Sequence, residues 1–166
     1  MLGVERRLTQ VEDVTYLEFL MTSFIEEMHD EWKAKWTELG RSWSSRVPEV
    51  PFPVSTILST AGTEKNHRPS DTEIAETTQL FMHMTGQLLW LSCMCMPDML
   101  YACSQFSRVL SASGWDALEY GMQAIKYAYS QRHRGIRFRS DGHRKIRAAY
   151  DASDNPDPKD GKSSYG

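Results

Sequence analysis

Between Leu80 and Tyr129 the apolar residues recur at three- and four-residue steps, and that period commits this part of the chain to helices packed on one another. Leu80, Met84, Leu88, Leu91 and Cys95 fall on one face of a first segment, widened by Phe81, Leu89 and Trp90. Ser70-Asp71-Thr72-Glu73 supplies N-cap candidates and an early carboxylate, which predicts a helix from there to about Met96. Pro97 ends it and suits the first turn of another, through about Leu110. Ser113-Gly114-Trp115-Asp116 opens a third, whose stripe is Trp115, Leu118, Met122, Ile125 and Tyr129.

The flanks read differently. Residues 2–8 and 13–17 have the pattern of a short hairpin. From about Tyr16 to Leu39 the period turns helical, through Leu17, Leu20, Phe24, Met28 and Trp32, and Gly40 supplies a stop. Residues 41–70 hold four of the seven prolines (Pro48, Pro51, Pro53, Pro69), which predicts an extended loop because proline lacks an N–H donor and disfavours helix before it. After His133 the period becomes two: Ile136 and Phe138 alternate with Arg137 and Arg139. Asp141-Gly142 is a tight-turn signal, so a second strand from Lys145 to about Asp151 would complete a C-terminal hairpin. The expected fold class is mainly α with small β (α+β).

The 166 residues are 40% apolar and 25% charged, a globular composition. Net charge is −3, which excludes a uniformly basic nucleic-acid binder and leaves room for a local basic patch. The charge is indeed segregated. Glu12 to Glu31 contains seven acidic residues and no Lys or Arg, whereas Lys126 to Arg147 contains eight basic residues against Asp141. A polyanion partner for the C-terminal third follows as an expectation. The N-terminal MLGVERRLTQ has no apolar leader, QLLWLSCMCM is too short for a membrane span, and Cys93, Cys95 and Cys103 do not form a disulfide framework. A cytoplasmic or nuclear protein with buried thiols and no membrane partner is expected. On a helix Cys93 and Cys95 point about 200° apart and do not chelate together, and His83 and His133 have no partner at useful spacing.

In order along the chain, several short motifs resemble the polymerase polyprotein of copia-type LTR retrotransposons, at the end of reverse transcriptase and the start of RNase H. Leu2-Gly3-Val4 is similar to the family's Leu-Gly strand late in the palm, and Pro53-Val54-Ser55-Thr56 to its Pro-Val-Ser-Thr-Pro segment. Gly86-Gln87-Leu88-Leu89-Trp90-Leu91 resembles Gly-Ser-Leu-Leu-Tyr-Leu. Pro97-Asp98, Tyr101-Ala102 and Ser107-Arg108 repeat the spacing of the Arg-Pro-Asp-Ile-Ala-Tyr-Ala and Leu-Ser-Arg-Phe elements, with Met96 in place of the first arginine. Trp115 stands where His-Trp is usual, Tyr127 resembles the Tyr of the Arg-Tyr-Leu element, and Gly135-Ile136 the strand beyond it. Tyr150-Asp151-Ala152-Ser153 and Lys162-Ser163 are similar to the opening strand of RNase H and its turn.

The resemblance implies the following organisation: residues 1–40 as the end of the palm and first thumb helix, 41–72 as a Pro/Ser-rich loop, 73–131 as a helical thumb and connection, and 132–166 as a truncated start of RNase H. It implies a thumb-like bundle flanked by two hairpins. The partners it implies are a primer–template or RNA–DNA hybrid and the rest of the polyprotein, and the phosphate contacts would come from Arg132, Arg134, Arg137, Arg139 and Lys145. Polymerase and RNase H centres each need clustered carboxylates around two Mg²⁺ or Mn²⁺ ions. Asp151 resembles the first RNase H carboxylate, and the Tyr-Val-Asp-Asp hairpin of the polymerase centre does not occur. The chain alone is therefore expected to need no cofactor and to have neither activity. Taken from the residues without the resemblance, Asp151 is a strand-end residue capping a turn, the Arg137/Arg139 strand is a solvated face, and the chain is a non-enzymatic helical module binding nucleic acid or protein.

Overall fold

The computed structural model describes residues 3–56, 58, 70–111 and 113–140. Their order is β1 (Glu5–Val11), β2 (Val14–Leu20), α1 (Thr22–Glu38), α2 (Asp71–Met94), a 3₁₀ turn (Pro97–Met99), α3 (Leu100–Ser107), α4 (Trp115–Ser130) and β3 (Ile136–Ser140). The architecture is α+β, with four helices and one antiparallel sheet in the order β1-β2-β3.

The helices form where the apolar stripe predicts them. Phe81, Met84, Leu88 and Leu91 of α2, Phe106 of α3 and Leu118 and Ile125 of α4 are all buried in one core. At Gly121 a Cβ would fall 2.1 Å from Met84 Sδ, so a larger residue there would force this buried methionine to move. Pro97 stands at the first position of the 3₁₀ turn, where its missing N–H is not needed. Gly40 ends α1 at φ +72°: its N–H bonds to Thr37 O and that of Arg41 to Trp36 O, the paired bonds of a Schellman cap.

Three features depart from the sequence reading. Tyr16–Leu20 is strand, not the first turn of α1, and helix begins at Thr22. Tyr16, Leu17 and Leu20 fit both periods, and β2 is decided by hydrogen bonds on both its edges, to β1 and to β3. β3 pairs with β2, in register Phe19 with Ile136 and Tyr16 with Arg139, so a segment read as the start of a separate C-terminal unit completes the N-terminal sheet. The expected partner strand from Lys145 to Asp151 lies outside the described residues. Finally, the proline-rich stretch contributes to the core. Phe52, between Pro51 and Pro53, is 2% exposed and lies against the rings of Tyr101, Phe106 and Tyr120 at centroid distances of 6.1, 5.7 and 5.1 Å.

Candidate nucleic-acid interface

In a three-stranded antiparallel sheet, residues directly opposite share a face and successive residues alternate. The register therefore sorts the side chains. One face carries the row Arg7–Glu18–Arg137 and the next row Thr9–Tyr16–Arg139. The other carries Leu8, Leu17, Phe19, Ile136 and Phe138. There Phe19 and Phe138 meet edge to face at 5.7 Å, with Leu8 and Phe138 largely exposed. Three arginines thus share the polar face with one tyrosine, although β1 and β3 lie at opposite ends of the described chain.

Arg137 is the best positioned of them. Its Nε donates to Glu18 Oε1 at 2.9 Å, and its guanidinium lies 4.2 Å from the centre of the Tyr16 ring. A guanidinium has five N–H donors in a planar fork, so one bond to Glu18 orients it and leaves donors for a phosphate oxygen. Arg7 and Arg139 are exposed on the same face. Arg132 and Arg134 are placed elsewhere, in the turn between α4 and β3. Arg132 donates from Nε to Glu26 at 3.1 Å and from Nη1 to Tyr129 O at 3.0 Å, and it lies over the Tyr129 ring. Its charge is engaged in tying α1 to the end of α4. Arg134 donates to Gln131 Oε1 at 3.1 Å and lines a hollow of about 320 Å³ with Cys95, Pro97, Asp98 and Gly135. The structure therefore brings Arg137 and Arg139 together, joins Arg7 and Tyr16 to them, and sets Arg132 and Arg134 apart. Lys145 and Asp151 lie outside the described residues. Arg7 falls in a predicted strand and Tyr16 where the predicted hairpin gives way to helix, and nothing local in the sequence signals that β3 will lie beside Tyr16.

Met96, where the resemblance leads one to expect arginine, is 3% exposed and packs in the core. Next to it, Asp98 accepts a 2.7 Å hydrogen bond from the Tyr127 hydroxyl. Burial, reinforced by the Asp98 carboxylate, pushes that phenol up to about 12. Cys95 and Cys103 are buried and their thiols are shifted upward, chiefly by that burial, whereas Cys93 is exposed, contrary to its expected burial. Among the described residues no three His, Cys, Asp or Glu side chains are placed to hold a metal ion, and no helix is long and apolar enough to cross a membrane.

His83, without a partner by sequence spacing, has one across the fold. Its Nε2 lies 3.2 Å from Glu31 Oε1, Gln87 Nε2 donates to Glu31 Oε2 at 3.0 Å, and Lys35 completes the set from the next turn of α1. Burial acts to raise the Glu31 pKa, but the bonds from Lys35, Gln87 and His83 outweigh it and hold the carboxyl at about 2, against an ordinary 4.5. Because the folded value is the lower one, Glu31 contributes stability above about pH 4.5 that is lost as pH falls toward 2. The urea midpoint of the wild type should consequently fall further than that of Glu31→Gln between about pH 6 and about pH 3. Parallel losses in the two proteins would show that this carboxylate is not coupled to folding.

Compared with family models, with curated proteins and with solved structures, the chain matches none.

Proposed function

We propose that this chain is the thumb and connection region, with the start of RNase H, of a copia-type retroelement polymerase, and that the polar face of its sheet holds the backbone of a primer–template or RNA–DNA hybrid. The observation that carries the binding role is that Arg7, Arg137 and Arg139 share one face of the sheet, with Arg137 over Tyr16 and pre-oriented by Glu18. Phosphate contacts of this kind position a duplex without reading its sequence. The family reading is supported by the ordered motifs, two of which meet in space: the Asp of Pro97-Asp98 and Tyr127 are hydrogen-bonded. In the parent enzyme the reaction would be RNA-templated DNA synthesis and removal of the RNA strand, with Mg²⁺ or Mn²⁺ held by carboxylate clusters. By resemblance the chain supplies one RNase H carboxylate, Asp151, and binding rather than cleavage is the role assigned to it.

The test is fluorescence anisotropy with a labelled RNA–DNA hybrid across a salt series. Wild type should bind at low salt and weaken steeply as salt rises, because each neutralised phosphate releases counterions. Arg137→Ala/Arg139→Ala should bind more weakly and reduce the salt slope by about 2, roughly one per lost phosphate contact. Absence of binding at low salt, or an unchanged slope in the double variant, would remove the sheet face from the proposal. Mg²⁺-dependent cleavage of the hybrid by the pure chain would show it to be an enzyme in its own right.

A further inference from the structure

α1 and α2 both pack on α4, and they are bridged to each other at one end by Trp32 and Glu31 reaching Gln87 and His83. Beyond those bridges the two helices leave a groove of about 710 Å³. Its floor and far wall are Phe24 of α1 and Met82, Gly86 and Trp90 of α2. Met82 is 54% exposed, and a Cβ built on Gly86 meets nothing within 4 Å. An exposed glycine in mid-helix weakens the helix, yet here it keeps the groove open at its centre.

The edge contributed by α1 is acidic. Positions 23, 27 and 31 follow one another at i, i+4 spacing along that helix, so they form a single row. Glu27 lines the groove directly and is the unpaired carboxylate of the row; at position 23, Glu5 of β1 accepts from the backbone N–H of Ser23 at 2.9 Å and from its hydroxyl, and at position 31 the Glu31 carboxylate is paired with Lys35. Glu27 is exposed and has no ion-pair partner among the described residues. Among the described residues no Lys or Arg lines the groove.

An apolar channel between two helices with carboxylates along one edge has the complement of a particular ligand. The geometry points to a basic amphipathic helix of a partner protein, docking its aliphatic stripe over Gly86 between Phe24 and Trp90 with Lys or Arg toward Glu27. This is a helix-in-groove surface, and it is independent of the sheet face proposed for nucleic acid. An apolar stripe alone fits such a channel; the acidic edge selects the charge of its flanks.

The experiment uses the full chain and a fluorescein-labelled helical peptide with leucine at i, i+3, i+4 and i+7 and lysine elsewhere. Two controls accompany it: the same pattern with glutamate for lysine, and the same lysine content with serine for leucine. The Lys/Leu peptide should bind at least about tenfold more tightly than either control. Gly86→Leu, which fills the groove with no buried atom to displace, should weaken binding by about tenfold or more and leave the melting temperature equal to or above wild type. Glu27→Lys should weaken it by about threefold to tenfold at low salt, with the difference shrinking as salt rises. Equal binding of the Glu/Leu peptide would overturn the charge complement. Equal binding of the Lys/Ser peptide, or undiminished binding by a folded Gly86→Leu, would overturn the groove itself.

Discussion

Trp32→Ala is expected to destabilise the protein by about 3–5 kcal/mol, the range for removing a large buried aromatic side chain. Trp32 is fully buried in α1, and its indole N–H donates to Gln87 Oε1 at 2.6 Å. Alanine would open a cavity between α1 and α2 and leave the Gln87 carbonyl without that donor. The polar set around Glu31 would loosen with it, since Gln87 also donates to that carboxylate. Melting should fall by roughly 10 °C for a chain of this size. Trp32→Phe separates the two contributions, because it keeps most of the packing and removes the hydrogen bond; its expected loss is about 1–2 kcal/mol. Urea unfolding followed by circular dichroism measures both. A loss below about 1 kcal/mol for the alanine variant would mean that α1 is not anchored through this ring.

The second large effect is expected at Gly135. A Cβ there would lie 2.0 Å from the backbone oxygen of Phe19 and 2.9 Å from Leu20 Cδ2. The first is main chain at the last pair of the β2–β3 ladder and has no side chain's freedom to move aside. Gly135→Ala must therefore push the start of β3 away from β2, at about 1–3 kcal/mol, the usual range for overfilling a packed site. The functional consequence is larger than the loss of stability, because Arg137 and Arg139 travel with β3. Amide exchange over Ile136–Ser140 should accelerate selectively while the amides of α2 and α4 keep their protection. Hybrid binding should fall toward that of Arg137→Ala/Arg139→Ala. Unchanged protection of the β3 amides would show that the strand tolerates the methyl group and that the close approach is not obligatory.

The parts of this fold that rest on local rules are legible in the sequence. α2, α3 and α4 follow from the apolar stripe, the turn at Pro97 from proline's missing donor, and the end of α1 from Gly40, whose positive φ only a few residue types adopt comfortably. The parts decided by distant partners are not. Tyr16–Leu20 satisfies helical and strand periods alike, and the pairing of β3 with β2 settles it from the other end of the described chain. Phe52 carries no signal of burial, being one aromatic between two prolines, until Tyr101, Phe106 and Tyr120 converge on it. The candidate site divides in the same way. Alternation exposed Arg137 and Arg139 as one side of a strand, but Arg7, Tyr16 and the orienting Glu18 enter only through strand order. His83 and Glu31 are a similar pair, brought together by the helices' shared packing on α4 rather than by spacing.

The way β3 closes the sheet also sets a timetable for biosynthesis. When the β1–β2 hairpin leaves the ribosome, its third strand is still to be translated, and every helix of the described chain must emerge first. A lone two-stranded hairpin is marginal in water, and this one displays Leu8, Leu17 and Phe19 on a single side. Until Ile136–Ser140 arrives, the outer edge of β2 offers unpaired amides and carbonyls beside that oily surface. Nascent chains should thus be most prone to self-association, and most dependent on chaperone shelter, in the interval before β3 is delivered.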